Sequence, residues 1–394
     1  MRRDEPTSRT VPAATLIEPS RRRRAPARRG ISMLYVCIVM VVVFAFATLA
    51  MDYGRVQLAR TQLQTATDST AKWGVRWVSA SNASTLRARC NEVAGQNQVN
   101  NEKLVLSNSN IVVGYWNGQT RVFKPNLRPR NAIQISASST VPLVFGGQGN
   151  ISSCTVDTTA IATCTPMGIV ALSGFSFHVN TFIGSYDSSV TTHPTQGTSS
   201  SNAAVVSNGY IGEHNNSVIR GDVYVGPGGS VDPGFSVSGG VGSLPSAATA
   251  PAEASWSPAP NPGNVPQSYV HASNTTLLPG TYWFTSLKNT RALKFSGPAT
   301  IYVNGNIDAG DDIKAYNNLP ANLKIYQIGA NRHFNMSGGN EIIAQIVAPR
   351  SNFEVSNNVK FYGTCVFNRI TAHNNSEFYY DESSASVANI ALVR

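Results

Sequence analysis

Residues 28–77 read RRGISMLYVCIVMVVVFAFATLAMDYGRVQLARTQLQTATDSTAKWGVRW. Ile31 to Met51 is an uncharged apolar run of 21 residues. At 1.5 Å per helical residue it covers about 30 Å, the thickness of a bilayer's hydrocarbon core. Arg21, Arg22, Arg23, Arg24, Arg28 and Arg29 precede it, with Gly30 at its edge. Guanidinium groups resist transfer across a membrane, so these residues set the topology: tail in the cytoplasm, everything after Asp52 outside it. A cleavable secretory signal is the competing reading, since Ala45-Phe46-Ala47 offers a small-x-small site. The run exceeds the roughly 7–15 apolar residues of a signal core, which favours a retained span.

The helical pattern outlasts the apolar one. Val56, Ala59, Leu63, Ala66, Thr70, Trp73 and Trp77 recur at spacings of 3 and 4, a stripe along one helix face, while Arg55, Arg60, Gln62, Gln64 and Lys72 occupy the others. This predicts an amphipathic stalk over 52–80, weakened at Gly74. The stripe can pack on the chain's own globular part or on other copies by self-association.

Charge follows the same division. The first thirty residues hold nine arginines against three acids, +6 of the chain's +10. An arginine-rich tail beside a span finds its partner in anionic lipid, and no nucleic acid is expected. Past the span, few charges and abundant Ser, Thr, Asn and Gly suit an all-β exported protein. Cys37 lies in the span; Cys90, Cys154, Cys164 and Cys365 allow three disulfide pairings, of which Cys154 with Cys164 is the most local.

The expected fold class is mainly β: basic cytoplasmic tail (1–30), transmembrane helix (31–51), amphipathic stalk helix (52–80), small α/β domain (81–165), connecting segment (166–200) and a C-terminal parallel β-helix or β-solenoid (201–394). Within the small domain Leu104 to Leu106, Ile111 to Trp116, Thr120 to Phe123, Asn131 to Ser139 and Thr155 to Thr165 read as strands, with Asn117-Gly118 as a hairpin turn. Residues 226–266 are a Pro/Gly-rich loop. The solenoid rests on short alternating runs and on Asn340, Asn358 and Asn375, spaced 18 and 17 residues apart, with Asn216 upstream. Stacked Asn side chains at coil corners can hydrogen-bond along the stack. A β-sandwich is the alternative.

Arg28-Arg29-Gly30, the span, Asp52-Tyr53-Gly54-Arg55 and Leu63-Gln64-Thr65-Ala66-Thr67-Asp68 occur in order. Over residues 28–75, and more weakly to 165, the chain resembles the TadE/TadG-like family of Flp-type (tight-adherence) pilus assembly proteins. The resemblance implies a single-pass envelope protein with other pilus or envelope proteins as partners, and helix contacts through Asp52, Gly54, Arg55, Asp68 and the stripe. Two departures stand out: the fifth residue after Gly30 is Tyr35 rather than the Glu of processed prepilins, and Asp187-Ser188-Ser189-Val190-Thr191 only approaches the metal loop of larger relatives. The C-terminal half also resembles an uncharacterised exported β-helical domain, through Ala299 to Ile307, Ile346 to Pro349, Phe361 to Gly363 and Tyr380-Asp381.

The sequence offers no catalytic constellation, and no cofactor is expected. The six histidines are scattered through polar segments. Asp308, Asp311 and Asp312 are the one dense acidic group of the solenoid; their spacing suits a turn, with a weak calcium site or a carbohydrate-cleaving acid as rivals. Arg220-Gly221-Asp222 runs straight into strand-like sequence. Phe175, Phe177, Phe182, Phe361, Tyr362, Phe378, Tyr379 and Tyr380 divide between core filling and a glycan or partner patch. The expected function is assembly or anchoring of a Flp-type pilus or surface structure. The alternatives are a surface adhesin or glycan-binding module on the same anchor, and a polysaccharide-active enzyme.

Overall fold

The structure, a computed structural model, describes residues 29–78, 83–146, 151–212, 215–250, 252, 267–384 and 386–393. It holds two compact units: the described residues up to Gly54 with 143–152, and 55–142 with 153–394. Helix α1 (Arg29–Gly74) supplies residues to both. In the first unit its apolar side chains, Met33, Val41, Phe44 and Phe46 among them, are exposed all round. The best 18-residue window has a mean hydropathy of 2.7 and no buried residue, so α1 is long and apolar enough to cross a membrane.

In the second unit, the later turns of α1 and helix α2 (Ala83–Gly95) cover one five-stranded antiparallel sheet. Its spatial order is Ser386–Val393, Ser153–Met167, Ala132–Pro142, Ile111–Asn117, Val122–Pro125. Ala59, Leu63, Ala66, Ala71 and Val75 pack with Leu86 and Cys90 against Ile111, Ile133, Ile135, Val156 and Ala162. The stripe read from the sequence is therefore spent mostly within the chain. Gly74 permits a close approach between the helices: a Cβ there would sit 2.6 Å from the Cys90 Sγ. The segment expected as a strand at 104–106 is irregular and follows the two-residue strand Glu102–Lys103, and the hairpin turn extends over 118–121.

Twenty further strands among the described residues form a parallel β-solenoid. Three inward columns run through it. Ile301, Ile325, Ile346, Cys365, Ile169, Val205 and Val223 form one. Phe334, Phe353, Ile370, Phe175 and Ile211 form the second, and Ile342, Phe361, Phe378, Ile183 and Ile219 the third. All lie in one continuous buried core.

The columns expose an order of stacking that differs from the order of the chain. The chain enters mid-stack at Ile169–Phe177, winds outward through Gly221–Val225 to Val241–Ser243, and resumes at the opposite end with Gln267–His271. It then winds back until Lys360–Ala372 and Glu377–Asp381 pair with Ile169–Phe177 and Phe182–Tyr186. Ser386–Val393 finally returns to the small sheet beside Ser153–Met167. Solenoid strands thus begin at Ile169, inside the segment expected as a connector and ahead of the boundary expected at residue 201. Strands Phe182–Tyr186 and Ala203–Ser207 are buried throughout, because neighbouring parts of the chain cover their outer faces too, so they lack the alternation that marks a half-exposed strand.

One corner column is made of left-handed residues. Asn180, Asn216, Asn358 and Asn375 have φ of 54°, 65°, 66° and 57°, and Gly339 takes the equivalent place at 72°. Asn is among the few residues with a side chain that adopt this conformation readily. Its amide also bridges rungs: Asn180 Nδ2 donates to Asn375 Oδ1 at 2.9 Å, and Asn374 Nδ2 to Asn357 Oδ1 at 3.3 Å. Asn340, expected at a corner, lies one residue past it and donates to the Ser337 carbonyl instead. Gly363 serves a different bend, at φ 138°, where a Cβ would meet the Ala344 carbonyl at 2.0 Å.

Candidate functional site

Three places in the molecule concentrate polar or exposed apolar groups: the end of the apolar run, the acidic turn at 308–312, and the outer faces of the solenoid. At the first, Asp52 is buried, and its carboxylate accepts the backbone N–H groups of Val144 (2.8 Å), Phe145 (3.0 Å) and Gly146 (2.9 Å). Nothing in the sequence spacing joins residue 52 to 144. The available signal was the apolar Leu143-Val144-Phe145 directly after a strand, where a polar turn is the rule. Gly54 faces open space. Arg55 is half-buried, and Asp68 accepts from Gln64 Nε2 at 2.7 Å. Thr70 is buried, Val56, Trp73 and Trp77 are half-buried, and the two indoles lie 6.1 Å apart. Arg21 to Arg24 and Arg28 lie outside the described residues, as does His214; Arg29 and Gly30 open α1.

The cysteines do not pair. All five are free thiols in the structure. Cys154 and Cys164 lie ten residues apart on one strand, about 33 Å at 3.3 Å per residue, against the 7 Å Cα limit for a disulfide. Burial pushes the Cys90 thiol up to about 11 and Cys164 up to about 12, and raises Cys365 as well. In detergent solution at pH 7.5, N-ethylmaleimide is expected to modify only Cys37 and Cys154, rising to all five after unfolding. Peptide mass analysis reads the count, and rapid native modification of Cys164 or Cys365 would contradict the packing.

At the acidic turn the three aspartates separate. Asp312 pairs with Lys314 at 2.9 Å and accepts the Glu341 backbone N–H at 2.8 Å, and Lys314 bridges on to Glu341 at 2.8 Å. Burial lowers the Lys314 ammonium, but its bonds to Glu341 and Asp312 outweigh that and its pKa is raised. Asp311 accepts from the Asp312 N–H. Only Asp308 reaches a groove of about 350 Å³, lined also by Lys288, Asn289, Asn335 and Glu354. His333 faces Asp308 at 3.2 Å and His373 faces Glu354 at 3.4 Å. Among the described residues no three metal-ligating side chains converge.

The solenoid's faces are the third place. All eight aromatics considered for a surface patch are buried. Tyr362 and Tyr379 stack at 5.1 Å within the buried cluster, with His193 of the 187–199 loop against Tyr362. The half-exposed aromatic column lies elsewhere, Trp283, Tyr302 and Tyr326, with ring separations of 4.1 and 5.0 Å. Arg220-Gly221-Asp222 is not a presented loop. Asp222 is buried, accepts the N–H groups of Arg130 (3.1 Å) and Gly240 (3.0 Å), and pairs with Arg128 at 3.4 Å, fastening the solenoid to the small sheet. Asp381, fully buried, accepts from Ser188, Ser383 and Ser384. Burial raises the neighbouring Glu382 carboxyl, with hydrogen bonds from Ser185 and Asn202 opposing it.

Comparison with known families matches residues 30–76 to a Flp pilus-assembly TadE/G-like family and residues 60–162 to a Tad-like Flp pilus-assembly family. Residues 296–387 match a domain of unknown function, DUF7305. No curated protein and no solved structure matches the chain. The first two matches cover the apolar helix, α2 and most of the small sheet, and they support a role in pilus assembly.

Proposed function

We propose that this chain is a non-enzymatic, single-span anchor in the assembly of a Flp-type pilus, with its basic tail in the bacterial cytoplasm and its two β modules outside it. One observation carries the reading: α1 is both the helix suited to cross the membrane and a layer of the small domain's core, in the region matched by the two pilus-assembly families. The solenoid then presents outer faces to other pilus or envelope proteins.

Removing the chain from a cell that makes Flp-type pili is expected to reduce pilus number at least tenfold by electron microscopy. The full chain restores it, and a chain whose residues 31–51 are replaced by a cleavable signal does not. Unchanged pilus number in the deletion would overturn the assembly role. A binding module on the same anchor is the second reading, favoured by the half-exposed Trp283, Tyr302 and Tyr326. Their flat faces, on which a sugar ring would stack, are turned toward one another. That reading requires attachment to be lost on solenoid deletion while pili still form.

A further inference from the structure

We infer that the two flanks of one loop, 143–146 and 151–152, form a second membrane contact, with Val144 and Ile151 entering the boundary between headgroups and acyl chains where α1 leaves the bilayer. The inference rests on the span reading and goes beyond it. The loop belongs to the same compact unit as the apolar helix rather than to that of the sheet it connects. Its ends are closed by Leu143 N–H to the Ser152 carbonyl at 3.0 Å and Ile151 N–H to the Gly146 carbonyl at 3.1 Å. Among its described residues Val144 is 58% exposed and Ile151 60%, with Ser152 exposed beside them.

The level of the loop is fixed by Asp52, the first charged residue after the apolar run. Tyr53 beside it is 64% exposed, an aromatic of the kind that settles at the interface. A carboxylate at that depth is costly unless its oxygens are hydrogen-bonded, and irregular backbone there is costly unless its N–H groups are. The three bonds from Val144, Phe145 and Gly146 to Asp52 meet both demands at once. Such bonds stabilise a loop in water as well, but they do nothing for the exposed Val144 and Ile151, which only an apolar boundary would cover. Asp52 is thus a positioning residue, and the occupant of the apolar surface is the leaflet through which α1 emerges.

The test uses the full chain with Cys37 and Cys154 changed to Ser, leaving three buried thiols, and one added cysteine carrying an environment-sensitive NBD dye. The chain is reconstituted in phosphatidylcholine/phosphatidylglycerol vesicles containing lipids spin-labelled at shallow or deep positions. Dye at Val144→Cys or Ile151→Cys is expected to be blue-shifted and quenched best by the shallow label. Phe46→Cys should be quenched best by the deep label, and Val190→Cys on the 82% exposed solenoid loop should stay water-like. Adding Asp52→Ala is expected to cut shallow quenching at 144 at least threefold while Phe46→Cys is unchanged. Water-like dye at 144 and 151 with a buried position 46 overturns the loop contact and leaves the span. A blue shift without lipid quenching means that protein covers the loop, which also overturns it. Water-like dye at position 46 overturns the span itself.

Discussion

A chain ending at residue 250 is expected to lose the solenoid altogether, although every strand from Ile169 to Ser243 remains in it. In a solenoid stacked in chain order, removing the C-terminal coils uncovers one terminal rung and leaves the rest standing. Here the rung uncovered is the chain's own first coil, which loses twelve register pairs between 365–381 and 169–186 and keeps only its ladders to 203–219. The removed part also holds the strand paired with Ser153–Met167. Ile169, Phe175, Phe177, Phe182 and Ile183, all buried, would lose their cover on one side. At ~1.5–3 kcal/mol for each large apolar side chain, that loss is comparable to the whole ~5–15 kcal/mol by which domains are stable. Limited proteolysis of the detergent-extracted truncation is expected to digest residues 169–250 at least a hundredfold faster than in the full chain. The complement is a full chain carrying an engineered protease site within 255–262. Once cut, its halves should still co-elute in gel filtration, and prompt separation would contradict the stacking order.

The second large effect is expected from Phe353→Ala. Phe353 has no exposed surface, and its ring lies 4.5 Å from Phe367, 5.1 Å from Phe334, 6.1 Å from Phe361 and 6.2 Å from Phe378. Truncation removes the transfer free energy of the ring and leaves a cavity that a ladder of hydrogen-bonded rungs cannot collapse, a cost of ~3–5 kcal/mol. Val190→Ala, at an exposed site, should stay within ~0.5 kcal/mol. Urea midpoints followed by far-UV circular dichroism compare the two, and a Phe353→Ala midpoint equal to that of the Val190 variant would refute the shared aromatic core.

How much of this was legible depends on whether the governing contact is local. The apolar run, the helix past Asp52 and the buried stripe repeat at the helical period, so they could be read directly. The parallel solenoid was legible through Asn-rich corners, because the left-handed conformation is a property of a single residue. The exact corner was less so: Gly338-Gly339 meets the same backbone demand as Asn357-Asn358, which placed Asn340 one residue off. Stacking order was not legible, since similar coils pair as well in either sequence of assembly. The first solenoid coil was read as a connector because burial on both faces erased its alternation. At the end of the apolar run, Asp52 is bound by backbone amides, so the apolar Leu143-Val144-Phe145 marks an unusual turn without marking its partner.

The most direct test of the anchor is a paired measurement on cells that make the protein: whether the full-length chain stays in an alkali-washed membrane pellet, and which face of the cytoplasmic membrane admits protease to the solenoid. The account predicts a full-length chain in the pellet, with the solenoid cleaved in spheroplasts and protected in inverted vesicles. A shortened chain released to the supernatant, or a solenoid cleaved only in inverted vesicles, would contradict it.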